Sequence, residues 1–437
     1  MPQPYAAIDF GTSNSAVALP SADGPGTALM ALESGLPTLP TAVFYRADTP
    51  PTQLEAERLY GRAAIAAYVE GIDGRLMRSM KSILGSTLLD QRTDIGGGRG
   101  VAYRDVVTGF LRHLRTLACA QAGAEVKRAV LGRPVFFVDD DPARDAQAQA
   151  ALEAAARAVG FSEVTFQYEP IAAALDYEAR CTAEERVLVA DIGGGTSDFA
   201  LLRVGPARRG RLQRRDDILG HHGVHVAGTD FDRHVELAAI LPLLGYRSKR
   251  PAEAKHAGEP AREVPSGIYF DLATWHLINT VYAPARLAEV RSMKGWYADG
   301  AHHRRLLTVL EDRLGHALAG AAEQAKIDVA QQGLAAIDLN LLETGLATVL
   351  REAQAAAALD ADLERIVCAA LETARQAGVA PGAVDVLYCT GGSTGLAPLV
   401  DRIAAVFPAA RVVRGDRYAS VAAGLGVHAA LVYADGG

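Results

Sequence analysis

The fold is decided by the stretch VADIGGGTSDF at residues 189–199, in which an apolar segment ends at an aspartate and enters a glycine turn. The mainly apolar segment 186–190 and the apolar segment 199–202 predict two strands joined by that turn. The N-terminus carries a related pattern, because apolar residues 6–8 lead into DFGTSN at 9–14 and then into apolar residues 16–19. Two copies of strand, glycine–threonine turn and return strand predict an internal duplication.

Both turns carry the residue types that a polyphosphate bound with a divalent cation requires. Glycine has no Cβ, so backbone N–H groups can come close to phosphate oxygens. Mg²⁺ is usually held by one or two carboxylates together with phosphate, and Asp9 and Asp191 each end a strand at such a turn. Thr12 and Thr196 add hydroxyl groups. Each turn alone is equally well explained as a tight turn, whereas two related copies and a third glycine turn at 391–393 favour a phosphate site.

Composition excludes several classes of function. The chain has 437 residues, 49% of them hydrophobic, and 44 basic against 51 acidic residues give a net charge of −7. That sign argues against an extended nucleic-acid surface, which needs a basic field. Apolar runs stay short of the ~18 residues of a membrane span, and Asp9 interrupts the apolar N-terminus, which lacks the basic region of a signal peptide. Four scattered cysteines argue against disulfides or a thiolate zinc site. We expect a cytoplasmic α/β protein of two or three domains.

Further elements follow from apolar periodicity and from helix start signals such as Glu169-Pro170. Strands are predicted at 129–131, 164–166 and 384–389, and helices at 141–159, from 169, at 304–332, 346–377 and 421–431. The arginine-rich segment 205–215 is expected to form an exposed hairpin loop, and 246–267 a surface loop or insertion.

Five segments of the chain resemble, in order, those of the actin-like ATPase fold. They are the first phosphate loop at 9–15, the first connecting helix at 169–174, the second phosphate loop at 191–198, the adenosine loop at 389–395 and the second connecting helix at 421–426. The chain is most similar to the ATPase domain of the seventy-kilodalton heat-shock (DnaK-like) chaperones, through GRPVFF (132–137), FQYEPIAAALDYE (166–178), VADIGGGTSDF (189–199), AGTDFD (227–232) and CTGGST (389–394). Within that family it looks most like the short YegD branch.

The resemblance implies an α/β fold of the actin-like ATPase type, with duplicated ribonuclease H-like halves forming two lobes around a nucleotide cleft. The first lobe is expected at 1–180 and the second at 181–389, with a helical subdomain at about 228–378. Residues 390–437 would carry the adenosine loop and a C-terminal helix that returns to the first lobe. Because the sequence stops at Gly437, we expect no substrate-binding domain.

The same resemblance implies roles for individual residues around the phosphates. Asp9, Glu169 and Asp191 would hold Mg²⁺ largely through its waters, and the last two would also orient an attacking water. Lys81 stands at the place of the family's catalytic lysine, although a solvated surface lysine is the alternative. The catalytic set is therefore Lys81, Glu169, Asp191 and Thr196. The phosphates would be wrapped by Gly11, Thr12, Ser13, Asn14, Gly193, Gly194, Gly195 and Thr196.

The nucleoside side departs from the family pattern. Gly228, Glu323, Lys326, Gly391, Gly392 and Ser393 match positions that the resemblance assigns to the nucleotide. Ile327 and Gly395, however, replace the two arginines that sandwich the base, Ala330 replaces a serine and Tyr418 an aspartate. Guanidinium–base stacking is worth ~1 kcal/mol or more for each plane. We therefore expect weaker ATP binding than in the chaperones and a different base preference.

The sequence favours a weak, Mg²⁺-dependent ATPase that binds ATP and ADP and is chaperone-like. We expect a protein client or a co-chaperone-type partner, and no nucleic-acid or membrane partner. Two alternatives stay open. A small-molecule, sugar-type kinase of the same fold would need a carboxylate base, for which Asp198 is the candidate. A nucleotide sensor or filament protein would bind nucleotide without hydrolysing it.

Overall fold

The computed structural model describes residues 4–21, 26–49, 56–138, 141–251, 262–416 and 419–433. The chain divides into two compact units. The first comprises residues 1–224, 368–394 and 403–437, and the second comprises residues 225–367 and 395–402. The lobes expected at 1–180 and 181–389 come from the family resemblance and not from contacts within the chain, and they stay a prediction.

The secondary structure is mixed α/β. The strands are β1 (Tyr5–Phe10), β2 (Asn14–Pro20), β3 (Thr27–Leu29), β4 (Thr38–Pro40), β5 (Ala42–Arg46), β6 (Arg58–Tyr60), β7 (Gly74–Arg78), β8 (Arg92–Gly96), β9 (Arg99–Ala102), β10 (Arg128–Arg133), β11 (Glu163–Tyr168), β12 (Glu185–Ile192), β13 (Ser197–Val204), β14 (Ile218–Val224), β15 (Leu334–Asp338), β16 (Ala347–Arg351), β17 (Val386–Thr390) and β18 (Arg411–Arg414). The helices are α1 (Gly61–Val69), α2 (Tyr103–Ala122), α3 (Pro142–Ala158), α4 (Glu169–Glu178), α5 (Gly228–Val235), α6 (Gly267–Ala273), α7 (Pro284–Ser292), α8 (Gly300–Glu311), α9 (Gly315–Gln332), α10 (Glu352–Gln376), α11 (Ala397–Val406) and α12 (Ser420–Tyr433).

Two sheets of the first unit share one arrangement around a hairpin. One sheet has the order β11-β10-β1-β2-β3 with β4 also pairing β2, and the other has the order β14-β13-β12-β17-β18. In each sheet the hairpin is antiparallel, and its first strand pairs on the other side with a parallel strand, β10 or β17. Asp9 lies opposite Ala16 and Asp191 opposite Asp198. Both predicted hairpins are confirmed, whereas a duplication as their origin stays a prediction.

Apolar faces of α4 and α12 contribute to one core of the first unit. The cluster combines strand residues such as Val130 and Val189 with Ile171 of α4 and Leu425 of α12, all buried. The helix predicted at 421–431 is therefore confirmed as a buried helix. At Gly424 a Cβ would overlap the carbonyl oxygen of Ala172, so the two helix backbones approach more closely than a side chain permits.

The second unit is mainly helical and corrects two predicted helices. The helix expected at 304–332 is divided into α8 and α9, because Arg313 takes a left-handed φ of 55° and the N–H of Gly315 bonds the Tyr282 hydroxyl at 2.9 Å. The helix expected at 346–377 begins only at Glu352, since residues 347–351 form β16 and pair with β15. Both errors arise where tertiary contacts override helical periodicity.

The arginine-rich segment at 205–215 is the largely exposed loop between the antiparallel strands β13 and β14, as predicted, although one of its arginines is buried. Arg214 is buried and both its terminal nitrogens donate to Glu178 at the end of α4, at 2.8 and 2.9 Å. Asp217, also buried, accepts from the Arg214 Nε. The Arg209 Nε donates to the Glu178 carbonyl oxygen at 2.9 Å. Charge pairing offsets the cost of burying Arg214 and Asp217, and these contacts join the otherwise exposed loop to the end of α4.

None of the four cysteines forms a disulfide bond. Among the helices of the described ranges, none combines the length and the apolar character that a bilayer crossing requires.

We predict that Gly424→Ala destabilises the protein by about 3 kcal/mol or more, because the new Cβ has to displace the backbone of α4. Gly320→Ala in α9 is the matched control, since a Cβ there meets no atom within 4 Å and alanine is the better helix former. Chemical denaturation measures the free energy of unfolding of both variants and of the wild type. Equal stability of the Gly424→Ala variant and the wild type would contradict the close helix contact.

We predict that His428 makes the fold acid-sensitive. It is buried, and its Nδ1 must accept from the Gln167 Nε2 at 3.1 Å, because the Gln167 Oε1 already accepts from the Tyr168 N–H. Burial, aided by Arg214, lowers the pKa of His428 from 6.5 to about 4. Protonation therefore favours the unfolded chain. The contribution of neutral His428 to the free energy of unfolding is complete above pH 6.5 and falls as the pH drops toward 4.

Between pH 7.5 and pH 5, the titration of His428 should lower the free energy of unfolding by about 2 kcal/mol. His428→Asn keeps an acceptor but has no titrating group, so its free energy of unfolding should fall less over this pH range. Denaturation curves of both proteins at both pH values measure the difference. Identical pH dependence would show that His428 does not titrate on unfolding.

Candidate functional site

Four predicted site residues come together in the first unit. Asp9 lies near the end of β1 and Asp191 near the end of β12, each one residue before its strand ends. Glu169 opens α4 directly after β11, which lies in the same sheet as β1. Lys81 lies in a short 3₁₀ helix, Met80–Ile83. The hairpin turns and the start of α4 therefore bring three carboxylates to one lysine.

Lys81 forms an ion pair with Glu169. The Lys81 Nζ lies 2.5 Å from the Glu169 Oε1, and the two side chains are 11% and 14% exposed. Lys81 is thus not a solvated surface lysine, the alternative that the sequence left open. Its turn is tightly constrained, because Ser79 adopts a left-handed φ of 54° and accepts at its carbonyl oxygen from the Ser82 hydroxyl at 2.7 Å.

The carboxylates carry more negative charge than Lys81 can offset. Burial and then the charge of Glu169 raise the pKa of Asp9 to about 8, and the charge of Asp191 acts on Asp9 in the same direction. Burial, followed by the charges of Asp198 and Glu169, raises the pKa of Asp191 to about 7. Burial alone would lower the pKa of Lys81, but the charges of Glu169 and Asp9 outweigh it and raise the pKa.

This charge pattern fits a hydrated divalent cation better than a dehydrated one. Within the described ranges, no three His, Cys, Asp or Glu side chains are grouped so that they could ligate one ion directly. Mg²⁺ gives up its waters reluctantly and is usually held by few carboxylates. Asp9, Glu169 and Asp191 are therefore suited to accept hydrogen bonds from the waters of such an ion.

The glycine turns lie close to one another in the same unit. A Cβ on Gly194 would lie 3.0 Å from the Ser13 Oγ, so the turns of the two hairpins are neighbours. The Ser393 hydroxyl donates to the Gly193 carbonyl oxygen at 2.7 Å, which joins the third turn to the second. At Gly391, which has φ of 86°, a side chain would overlap the Ile192 carbonyl oxygen. The turns thus depend on glycine where backbones meet.

The remaining predicted positions belong to the same three turns. They are Gly11, Thr12 and Asn14 of the first turn, Gly195 and Thr196 of the second, and Gly392 of the third; all are partly buried except Asn14, which is exposed.

The predicted nucleoside-binding residues of the α5 and α9 region lie in the second unit. The Lys326 Nζ lies 2.6 Å from the Asp232 Oδ1 and 3.5 Å from the carbonyl oxygen of Gly228, which opens α5. Glu323 precedes Lys326 by nearly one turn on α9 and is exposed. Burial raises the pKa of Asp232 to about 6, against the opposing charge of Lys326.

The positions at which the sequence departs from the predicted nucleoside pattern carry apolar or small residues. Ile327 is 38% exposed on α9, and Ala330 follows on the same helix. Gly395 precedes α11 and offers no side chain. Tyr418 lies outside the described residues.

Asp232 was not singled out from the sequence as a site residue. It lies within AGTDFD, the stretch that supported the resemblance, so a search for acidic partners of Lys326 could have found it. Asp198 was considered only as a kinase base. Its charge nevertheless raises the pKa values of both Lys81 and Asp191, which makes it part of the charged cluster.

Comparison with known proteins gives one family and several relatives. The profile described as "Hsp70 protein" matches residues 5–238, which is just over half of the chain. The Chaperone protein DnaK of Thermosipho melanesiensis is 32% identical over 230 residues, covering 52% of this chain and 34% of the relative. The Chaperone protein DnaK of Thermosipho africanus is 31% identical over 230 residues, which again cover 52% of this chain and 34% of the relative. The aligned region thus spans about a third of the length of these curated relatives.

The matched region includes both hairpins, Lys81, Glu169 and the start of α5. The mixed α/β structure agrees with the actin-like ATPase fold that this family implies. The YegD branch stays a prediction. By the extent of the match, this protein belongs to the Hsp70 family and is DnaK-like.

Proposed function

We propose that this protein binds a nucleoside triphosphate with Mg²⁺ and hydrolyses it slowly, as part of a chaperone-like role. The observation that carries the proposal is the cluster of Asp9, Glu169 and Asp191 around Lys81, next to three glycine turns. Phosphoryl transfer depends mostly on positioning and on electrostatic stabilisation, and this cluster supplies both kinds of group.

The residues have distinct parts in the proposed site. Asp9, Glu169 and Asp191 would hold the waters of Mg²⁺, which when bound offsets charge on the phosphate oxygens. Glu169 and Asp191 would orient the attacking water. Lys81 would leave its ion pair with Glu169 to meet the γ-phosphate, and Thr196 would donate its hydroxyl to a phosphate oxygen.

Backbone N–H groups of the glycine turns would bind the remaining phosphate oxygens. The proposed residues are Gly11, Thr12, Ser13 and Asn14 of the first turn, Gly193, Gly194, Gly195 and Thr196 of the second, and Gly391, Gly392 and Ser393 of the third. The hydrogen bond from Ser393 to Gly193 and the short approach of Ser13 to Gly194 support a shared phosphate site.

Glu323, Lys326 and Gly228 would bind the nucleoside, ATP or ADP in the first instance. The apolar Ile327 and Ala330 and the missing side chain at Gly395 support weaker adenine binding than in the chaperones.

The chaperone-like role rests on family membership and on relatives that are named chaperones. A protein client or a co-chaperone-type partner would then act on another surface of the chain.

A second candidate is a kinase for a small polyol or sugar. Asp198 supports it, because this carboxylate is exposed and its charge acts on both Lys81 and Asp191. A general base must reach the acceptor hydroxyl, and an exposed carboxylate beside the cluster is suited to that. The test is phosphate release from Mg·ATP with and without a panel of sugars and polyols. We expect hydrolysis that is indifferent to the panel; a phosphorylated sugar would favour the kinase.

We predict that Asp191→Asn lowers Mg²⁺-dependent phosphate release by 100-fold or more, because the amide cannot orient the cation's waters or the attacking water. Its raised pKa shows that the Asp191 charge is unfavourable in the fold, so the variant should melt at the wild-type temperature or above it. Asp105→Asn at the exposed start of α2 is the control and should keep wild-type turnover. A wild-type rate in a clean Asp191→Asn preparation would remove Asp191 from the site.

We predict that Ile327→Arg tightens ATP and ADP binding about five-fold, because a guanidinium plane over the base contributes ~1 kcal/mol. Leu341→Arg adds the same charge at another exposed apolar position of the second unit and should leave the dissociation constant unchanged. Calorimetric titration measures both variants. Equal tightening by both would show a general charge effect, and no tightening by either would rule out base stacking at residue 327.

A further inference from the structure

We propose that the antiparallel hairpin of β8 and β9 in the first unit contains a binding pocket for a small hydroxylated phosphate monoester, such as a sugar phosphate. Its volume is about 330 Å³, near the lower end of the roughly 300–1,000 Å³ that small-molecule sites occupy. The pocket is lined by Arg92, Thr93 and Asp94 of β8, by Gly98 of the turn, and by Arg99 and Gly100 of β9. These residues are distinct from those of the proposed nucleotide site.

Two arginines from opposite strands give the pocket a positive charge. The Arg92 Nη2 donates to the carbonyl oxygen of Gly100 across the hairpin, and the Arg99 Nη2 donates to that of Thr49 at 3.2 Å. Both acceptors are neutral, so these two bonds orient the guanidinium planes without balancing their charges. A guanidinium has five N–H donors in a fork that matches a phosphate group. Arg92 therefore has donors to offer to a ligand.

Glycine backbone leaves space for that ligand. At Gly98, which has φ of 71° and is exposed, a Cβ would meet no described atom within 4 Å. At Gly100 a Cβ would lie 3.6 Å from the Arg92 Nε, so the arginine side chain packs over the glycine. The hairpin thus places a guanidinium beside open space instead of beside a side chain of the opposite strand.

The carboxylate of Asp94 favours a phosphate ester with hydroxyl groups over a bare oxyanion. Its Oδ1 accepts from the N–H of Gly96 at 2.9 Å, which fixes the carboxylate at the hairpin and leaves Oδ2 as an acceptor. A carboxylate repels a phosphate but accepts hydrogen bonds from hydroxyl groups. A ligand with its phosphate toward the two arginines and its hydroxyl groups toward Asp94 matches both signs of charge.

Glucose 6-phosphate, glucose and inorganic phosphate are the matched probes, because each of the last two lacks one part of the first. With the full chain, we expect glucose 6-phosphate to shift the backbone amide resonances of Thr93, Gly98 and Gly100. Glucose should bind at least ten-fold more weakly, and inorganic phosphate at least three-fold more weakly. The absence of shifts at these amides, or equal binding of glucose, would overturn the proposal. Equal binding of inorganic phosphate would overturn the role of the hydroxyl groups.

Removing one positive charge tests the phosphate contact. Arg92→Gln should weaken the binding of glucose 6-phosphate at least five-fold, because charge-assisted hydrogen bonds to the phosphate are lost. Arg112→Gln removes the same charge from an exposed position of α2 and should leave the affinity unchanged. Equal losses in both variants would show a general charge effect and overturn the site, as would unchanged binding in a folded Arg92→Gln variant.

Asp94→Asn tests the hydroxyl contact. The amide oxygen can still accept from the Gly96 N–H, so the hairpin should be retained. Inorganic phosphate should then bind more tightly, because the repulsion is removed, while the preference for glucose 6-phosphate over inorganic phosphate should decrease. Unchanged affinities for both probes would overturn the contact with Asp94.

Titration of glucose 6-phosphate in the presence of saturating Mg·ADP tests the separation from the nucleotide site. We expect an unchanged affinity, because the two sites share no residue. Complete competition, with amide shifts at the glycine turn 193–195 instead of at the hairpin, would overturn the proposal. Since the pocket does not depend on the proposed hydrolysis, a failure of either leaves the other standing.

Discussion

The ion pair between the Lys81 Nζ and the Glu169 Oε1 is the interaction on which the candidate site depends. Burial of carboxylates is costly, and Asp9 and Asp191 lie within electrostatic reach of Glu169. One lysine cannot balance three such groups. The cluster therefore has an excess of negative charge. A bound cation would balance that excess, and this is expected of a site that takes up a polyanion together with its cation.

Backbone proximity is the second constraint, and it explains why the turns use glycine. Gly391 takes a positive φ beside the Ile192 carbonyl, and Gly194 lies against the Ser13 hydroxyl. In the same unit, α12 meets α4 through Gly424, so the helix that opens with Glu169 is held in place by backbone contact. The core and the charged cluster are connected through α4.

The far end of α4 is held by charge instead of apolar contact. Buried Arg214 binds Glu178, the last residue of that helix, and Asp217 completes the network. This arrangement joins one end of the otherwise exposed arginine-rich loop to α4. By contrast, the second unit carries Ile327 and Gly395 at the two positions where the family resemblance predicts arginines for a nucleotide base.

The two hairpins, the start of α4 at Glu169 and the apolar helix at 421–431 are predictable from local patterns, because apolar periodicity and glycine or proline signals specify these elements. The sequence also brought Asp9, Asp191 and Lys81 forward as candidates, through the motif resemblance. The helix break at Arg313, the pairing of β15 with β16 and the burial of Arg214 are seen only in the folded chain. These features come from contacts between residues distant in sequence, whose partners local patterns do not specify.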